Sequence, residues 1–96
     1  MFKFQTIQAV TSFEHGRLKP IKLSTLINSK IVKIKFAGCE GRLYFLNILT
    51  QKDLSNLDRK NSVLEIVRDG DEIADSIYLD SFMYDDIEYH VCLLKE

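Results

Sequence analysis

The chain is expected to be mainly β, a small antiparallel barrel or strongly curved sheet of about six or seven strands with one short helix near residues 50–60. Three observations carry this expectation. The stretch from Ser29 to Thr50 reads as a hairpin, several further runs alternate apolar and polar residues, and turn residues recur at intervals of about 8 to 12. An α+β sheet with the helix on one face is the second reading.

The hairpin is the organising stretch. Val32, Ile34 and Phe36 alternate with Lys33 and Lys35, the period of two that gives a strand one buried and one wet face. Gly38-Cys39-Glu40-Gly41 supplies the turn, glycine being the residue that enters positive φ without steric cost. Arg42 to Leu49 returns with Leu43, Phe45 and Leu49 on one face and Tyr44, Leu46 and Ile48 on the other, a pattern that predicts a central strand covered on both sides.

In chain order, Phe2 to Val10 opens as a strand with Phe2, Phe4 and Thr6 on one side and Lys3 and Gln5 on the other. Its alternation slips near Ile7, which predicts a bulge or the strand's end. Ser12 to Pro20 reads as a loop. Ile21 to Asn28 fits either a short strand or one or two helical turns, and the strand is preferred. Thr50-Gln51-Lys52-Asp53 resembles a helix start, with a capping hydroxyl and an acid in the first turn, and Leu54 and Leu57 would share a face of a helix ending near Lys60. Ser62 to Arg68 is a β-branched strand, Asp69-Gly70-Asp71 a hairpin signal, Ile73 to Leu79 a strand, Ser81 to Asp86 a loop, and Ile87 to Leu94 the cleanest strand of all.

A chain of 96 residues with 46 % hydrophobic and 28 % charged residues is read as a single globular domain, 1–96, and not as a disordered chain. It contains neither a long apolar run nor a leader-like N-terminus, so cytoplasmic residence without a membrane is expected. Cys39 and Cys92 are then free thiols. The net charge of −1 hides an asymmetry. Residues 1–36 carry seven basic residues against Glu14 alone, a balance of +6, which leaves −7 for the remainder. Eight acids between Asp69 and Glu88 have no basic residue among them.

Chemistry-bearing constellations are sparse. Glu88, His90 and Cys92 share one face of the last strand, but i, i+2 neighbours stand about 6 to 7 Å apart, so a surface histidine and a half-buried thiol are the preferred reading. His15, in Phe13-Glu14-His15-Gly16-Arg17, falls in a loop. The acids around Asp69-Gly70-Asp71-Glu72 and Asp85-Asp86 lack the ordered spacing of a calcium loop. No phosphate loop, nucleophile elbow or cysteine-pair knuckle is present, so a non-enzyme without cofactor or metal is expected.

Two binding features remain. Phe82, Met83 and Tyr84, ringed by Asp75, Tyr78, Asp80, Asp85, Asp86 and Glu88, look like interface anchors with a charged rim, and predict a protein that docks on a basic partner such as a nucleic-acid-handling protein. Small immunity proteins and phage-encoded inhibitors act in this way, an analogy of size and charge alone. The alternative is nucleic-acid binding by Arg17, Lys19, Lys22, Lys30, Lys33 and Lys35, a case that aromatic residues on the lysine face would strengthen. Phe36 falls on the opposite face of its strand. An exposed strand edge would also permit a homodimer.

Overall fold

A computed structural model describes residues 1–95. Strands account for 74 % of it and there is no helix among the described residues. The eight strands are β1 (Phe2–Glu14), β2 (Arg17–Leu18), β3 (Ile21–Leu26), β4 (Lys30–Glu40), β5 (Leu43–Asp53), β6 (Arg59–Arg68), β7 (Ser76–Tyr84) and β8 (Ile87–Leu94). The chain is mainly β and antiparallel as expected, but its strands form two four-stranded sheets, ordered β2-β1-β5-β4 and β3-β6-β8-β7, in place of the expected six- or seven-stranded barrel or curved sheet.

The inner faces of both sheets supply one core. Ala9, Ile34, Leu46 and Ile48 from the first sheet meet Leu64, Ile66, Phe82, Tyr89 and Val91 from the second. Where β4 runs beside β7, the Ile34 N–H donates to Asp80 Oδ2 at 2.8 Å, so a side chain supplies the acceptor that a neighbouring strand's backbone would otherwise provide. At the end of the sandwich bearing the β4–β5 and β7–β8 turns, aromatic rings close the core. Phe36 stacks on Phe82 at 5.5 Å, Phe82 on Tyr89 at 5.3 Å, and Tyr44 meets Tyr84 edge-on at 5.1 Å.

Burial among these rings pushes the Tyr44 phenol up to about 12, reinforced by Tyr89, Cys39 and Tyr84. An exposed tyrosine in the unfolded chain ionises near about 10, so this contribution to stability is complete below that pH and is lost as pH rises towards about 12. Urea midpoints measured across that window should fall for the wild type and fall less steeply for Tyr44→Phe.

The β4–β5 hairpin is present, with its turn at Gly41-Arg42 rather than centred on Cys39-Glu40. Gly41 takes φ 60°, while Gly38 sits inside β4 at one of its two register shifts. β1 runs without a break from Phe2↔Asp53 to Ser12↔Leu43, so there is no bulge at Ile7. The slip in alternation arises because Ile7, Ala9 and Thr11 face the core while Phe2 and Phe4 face outward. The expected loop from Ser12 is largely a hairpin, turning at His15-Gly16 with φ 53° and 82°.

No helix follows β5. The Thr50 hydroxyl, read as a cap, donates instead to the Gln5 carbonyl at 3.0 Å within the sheet. Asp53 Oδ1 then accepts from both the N–H and the hydroxyl of Ser55, and Asn56 Oδ1 accepts from the Asp58 N–H. These consecutive side-chain-to-backbone bonds compete with helical ones. β6 and β7 are not a hairpin either, because β8 lies between them.

The stretch Ser81 to Asp86 is not a loop but the end of β7 and a two-residue turn, with Asp85 at φ 52° and Asp86 at φ 60°. Both positions of such a turn favour Asn-Gly, and two adjacent carboxylates repel. Asp85→Asn with Asp86→Gly should therefore raise stability by about 1 kcal/mol, read as a higher urea midpoint at unchanged slope.

Candidate binding faces and a polar cluster

The outer face of the first sheet is uncovered. Its inward residues are the buried Ala9, Thr11, Leu46, Ile48, Thr50 and Ile34, so the alternate residues of the same strands point to solvent. Register sets them in rows across the sheet: Phe4–Gln51–Lys30, Thr6–Leu49–Lys33, Gln8–Asn47–Lys35 and Val10–Phe45–Gly38. Phe2 is 65 % exposed, Phe4 63 %, Val10 49 % and Leu43 43 %. β5 is central in its sheet as expected, but only one of its faces is covered.

This face therefore has an apolar and aromatic column on β1, a mixed amide and apolar column on β5, and a lysine column on β4. Among the rows that join β1, β5 and β4 the acids are Asp53 and Glu40, one at each end, and Glu14 follows at the end of β1 opposite Arg17 on β2. Of the six basic residues expected to act together, the fold gathers Lys30, Lys33 and Lys35 here. Arg17 lies on β2 at the far edge, Lys19 is in an ion pair with Glu14 at 2.6 Å, and Lys22 belongs to the other sheet. The aromatic residues that Phe36 did not supply come from neighbouring strands, as Phe2, Phe4 and Phe45. Sequence alternation within β4 alone gives no sign of them.

The acidic residues are dispersed by the fold. Phe82 is buried in the core and Tyr84 packs in the aromatic cluster, so neither is a free anchor. Asp80 accepts from the Ile34 and Ser81 N–H groups, and exposed Asp75 pairs with Lys95 at 3.5 Å. Tyr78 and Met83 do project, 58 % and 60 % exposed, on the outer side of β7, with Asp85 and Asp86 at the adjoining turn and Glu88 opposite Met83 on β8.

On that side a polar cluster joins residues far apart in sequence. Tyr78 Oη lies 3.0 Å from His90 Nδ1, and His90 Nε2 lies 2.8 Å from Asp69 Oδ1. The Asp69 N–H donates to the Glu88 carbonyl at 2.9 Å, tying the end of β6 to β8. One donor atom each from Asp69, Glu88 and His90 falls within 4.8 Å of the others. The spacing of Glu88 and His90 was visible in the sequence, but Asp69 and Tyr78 reach them only through strand pairing. His15 lines a separate cleft of about 320 Å³ with Arg17, Glu65, Arg68, Asp71 and Glu72, where two arginines face three carboxylates.

No family model matches the chain, and neither a curated protein nor a solved structure does. Among the described residues no helix is long and apolar enough to cross a membrane.

Proposed function

We propose that this protein acts by binding rather than by catalysis, and that its ligand is single-stranded nucleic acid held on the outer face of β1, β5 and β4. The observation that carries the reading is the presence of exposed Phe2 and Phe4, with Phe45, on the same sheet face as Lys30, Lys33 and Lys35. Bases stack on exposed aromatic rings with little regard to sequence, and a lysine column at the sheet edge neutralises the phosphates alongside. Gln8, Asn47 and Gln51 stand between the two columns with amides that can donate to and accept from base edges. A reducing, cytoplasmic compartment suits the two free thiols, Cys39 and Cys92.

The test is fluorescence anisotropy of a labelled single-stranded oligonucleotide. Saturable binding should be weakened about fivefold or more by Phe4→Ala, since stacking contributes about 1 to 3 kcal/mol per base. Phe4 is largely exposed, so its thermal midpoint should hardly move. Unchanged affinity in that variant would remove the stacking role. Sedimentation without oligonucleotide separates this reading from self-association through the same face.

A second reading is supported by Tyr78 and Met83 projecting beside Asp85, Asp86 and Glu88. Phe82 and Tyr84 hold this hairpin rigid from the inside, so its outward side chains are preorganised for a basic partner protein. Asp85→Lys with Asp86→Lys should then reduce capture of that partner from the source cell without unfolding the protein, and equal capture would sink this reading.

A further inference from the structure

We propose that Asp69, Glu88 and His90 form a binding site for a divalent transition metal ion of the zinc class, on the outer side of the second sheet and independent of the nucleic-acid face. Their donor atoms already lie within 4.8 Å of one another. Donors bound to one Zn²⁺ at about 2.0 to 2.2 Å stand about 3.4 Å apart in tetrahedral geometry, so modest side-chain rotation closes the site.

Three features distinguish this cluster from an ordinary acidic surface. The first is the donor set. One imidazole with two carboxylates favours Zn²⁺, Co²⁺ or Ni²⁺ over Ca²⁺ and Mg²⁺, which prefer oxygen alone.

The second is orientation. The 2.8 Å contact has Nε2–H donating to Asp69 Oδ1; a cation taking that place moves the imidazole proton to Nδ1, where Tyr78 Oη can accept it as an outer-shell partner does for a metal-bound histidine. Asp69 Oδ1, now 2.8 Å from Nε2, is held by the Asp69 to Glu88 backbone bond in the position from which it would share the ion.

The third is charge. Among the described residues the Asp69 carboxylate meets no lysine or arginine, only the His90 ring, and Glu88 forms no ion pair, while the nearby Arg68 is directed to Asp71 at 3.8 Å. Two carboxylates and a neutral imidazole carry −2, which a divalent cation balances. The three protein ligands leave at least one position for water.

Titration of the intact protein with CoCl₂ and ZnCl₂ tests the proposal. One equivalent of Co²⁺ should give a d–d absorption spectrum that Zn²⁺ abolishes, and calorimetry should show one Zn²⁺ bound. Tyr78→Phe, a positioning change, should weaken Zn²⁺ about tenfold, the lower end for an outer-shell partner, and His90→Ala and Glu88→Gln should each weaken it by more. Glu88 lies at the surface, so Glu88→Gln keeps the test valid even if His90→Ala disturbs the sheet. Absence of the Co²⁺ spectrum, Zn²⁺ binding that survives both ligand variants, or Ca²⁺ binding as tightly as Zn²⁺ would each overturn the site.

Discussion

Lys33→Glu combined with Lys35→Glu should weaken single-stranded oligonucleotide binding by about a hundredfold or more, while the urea midpoint stays within experimental scatter. Both side chains leave the outer face of β4 for solvent, opposite Leu49 and Asn47, and neither makes an ion pair among the described residues. A charge-assisted hydrogen bond contributes about 1.5 to 3 kcal/mol, so losing two removes at least about 3 kcal/mol, or two decades of affinity, before repulsion is counted. Substitution by glutamate adds that repulsion. The effect should be strongest at low salt, where phosphate contacts contribute most.

Leu46→Ala should lower the unfolding free energy by about 3 to 5 kcal/mol, a loss in the class expected of the fully buried aliphatic residues Leu46, Ile48 and Leu64. Leu46 is 0 % exposed and sits in the core between Ala9 on β1 and Phe36 on β4, with the second sheet beyond. Removing it opens a cavity that the small Ala9 cannot fill. Leu43 stands on the same strand but the opposite face, 43 % exposed, and Leu43→Ala should cost under about 1 kcal/mol. The contrast measures how one-sided β5 is. Comparable losses at the two leucines would mean that the outer face is covered.

That comparison also shows where sequence reading reaches its limit. Alternation in Ile31–Phe36 and Ile87–Leu93 located β4 and β8, although in β4 a register shift between Ile31 and Lys33 turns Val32, expected on the buried face, out to 50 % exposure and Ile31 towards the core. In β5 both faces are apolar, and the pattern cannot tell a strand buried between two layers from one that offers an apolar face to a ligand. The same ambiguity holds for Phe2 and Phe4, which the alternation sets on one side of β1 without saying whether that side is covered. At Thr50–Asp53 the residues that cap helices are also those that form short side-chain turns, and the choice was decided by pairing of β5 with β1.

The candidate sites were less legible still, because they depend on strand order. Asp69-Gly70-Asp71 is a strong hairpin signal, yet β8 inserts between β6 and β7. That insertion brings Asp69 and Tyr78 to His90, 21 and 12 residues away in the chain. Lys33 and Lys35 are recognisable as one column of charge, and the register shift between Ile31 and Lys33 adds Lys30 to it. The aromatic column across from it required knowing that β1 pairs with β5, and β5 with β4.

The measurement that bears most directly on the binding face is the salt dependence of wild-type anisotropy with a labelled oligonucleotide of about twelve nucleotides, a length within the range of a single small domain's site. Three lysines engaging phosphates predict that log K falls against log salt with a slope of about −2, and that the Lys33→Glu, Lys35→Glu protein retains a slope near about −0.7. No saturable binding at low salt, or a slope that the double variant leaves unchanged, would contradict the assignment of this face to nucleic acid.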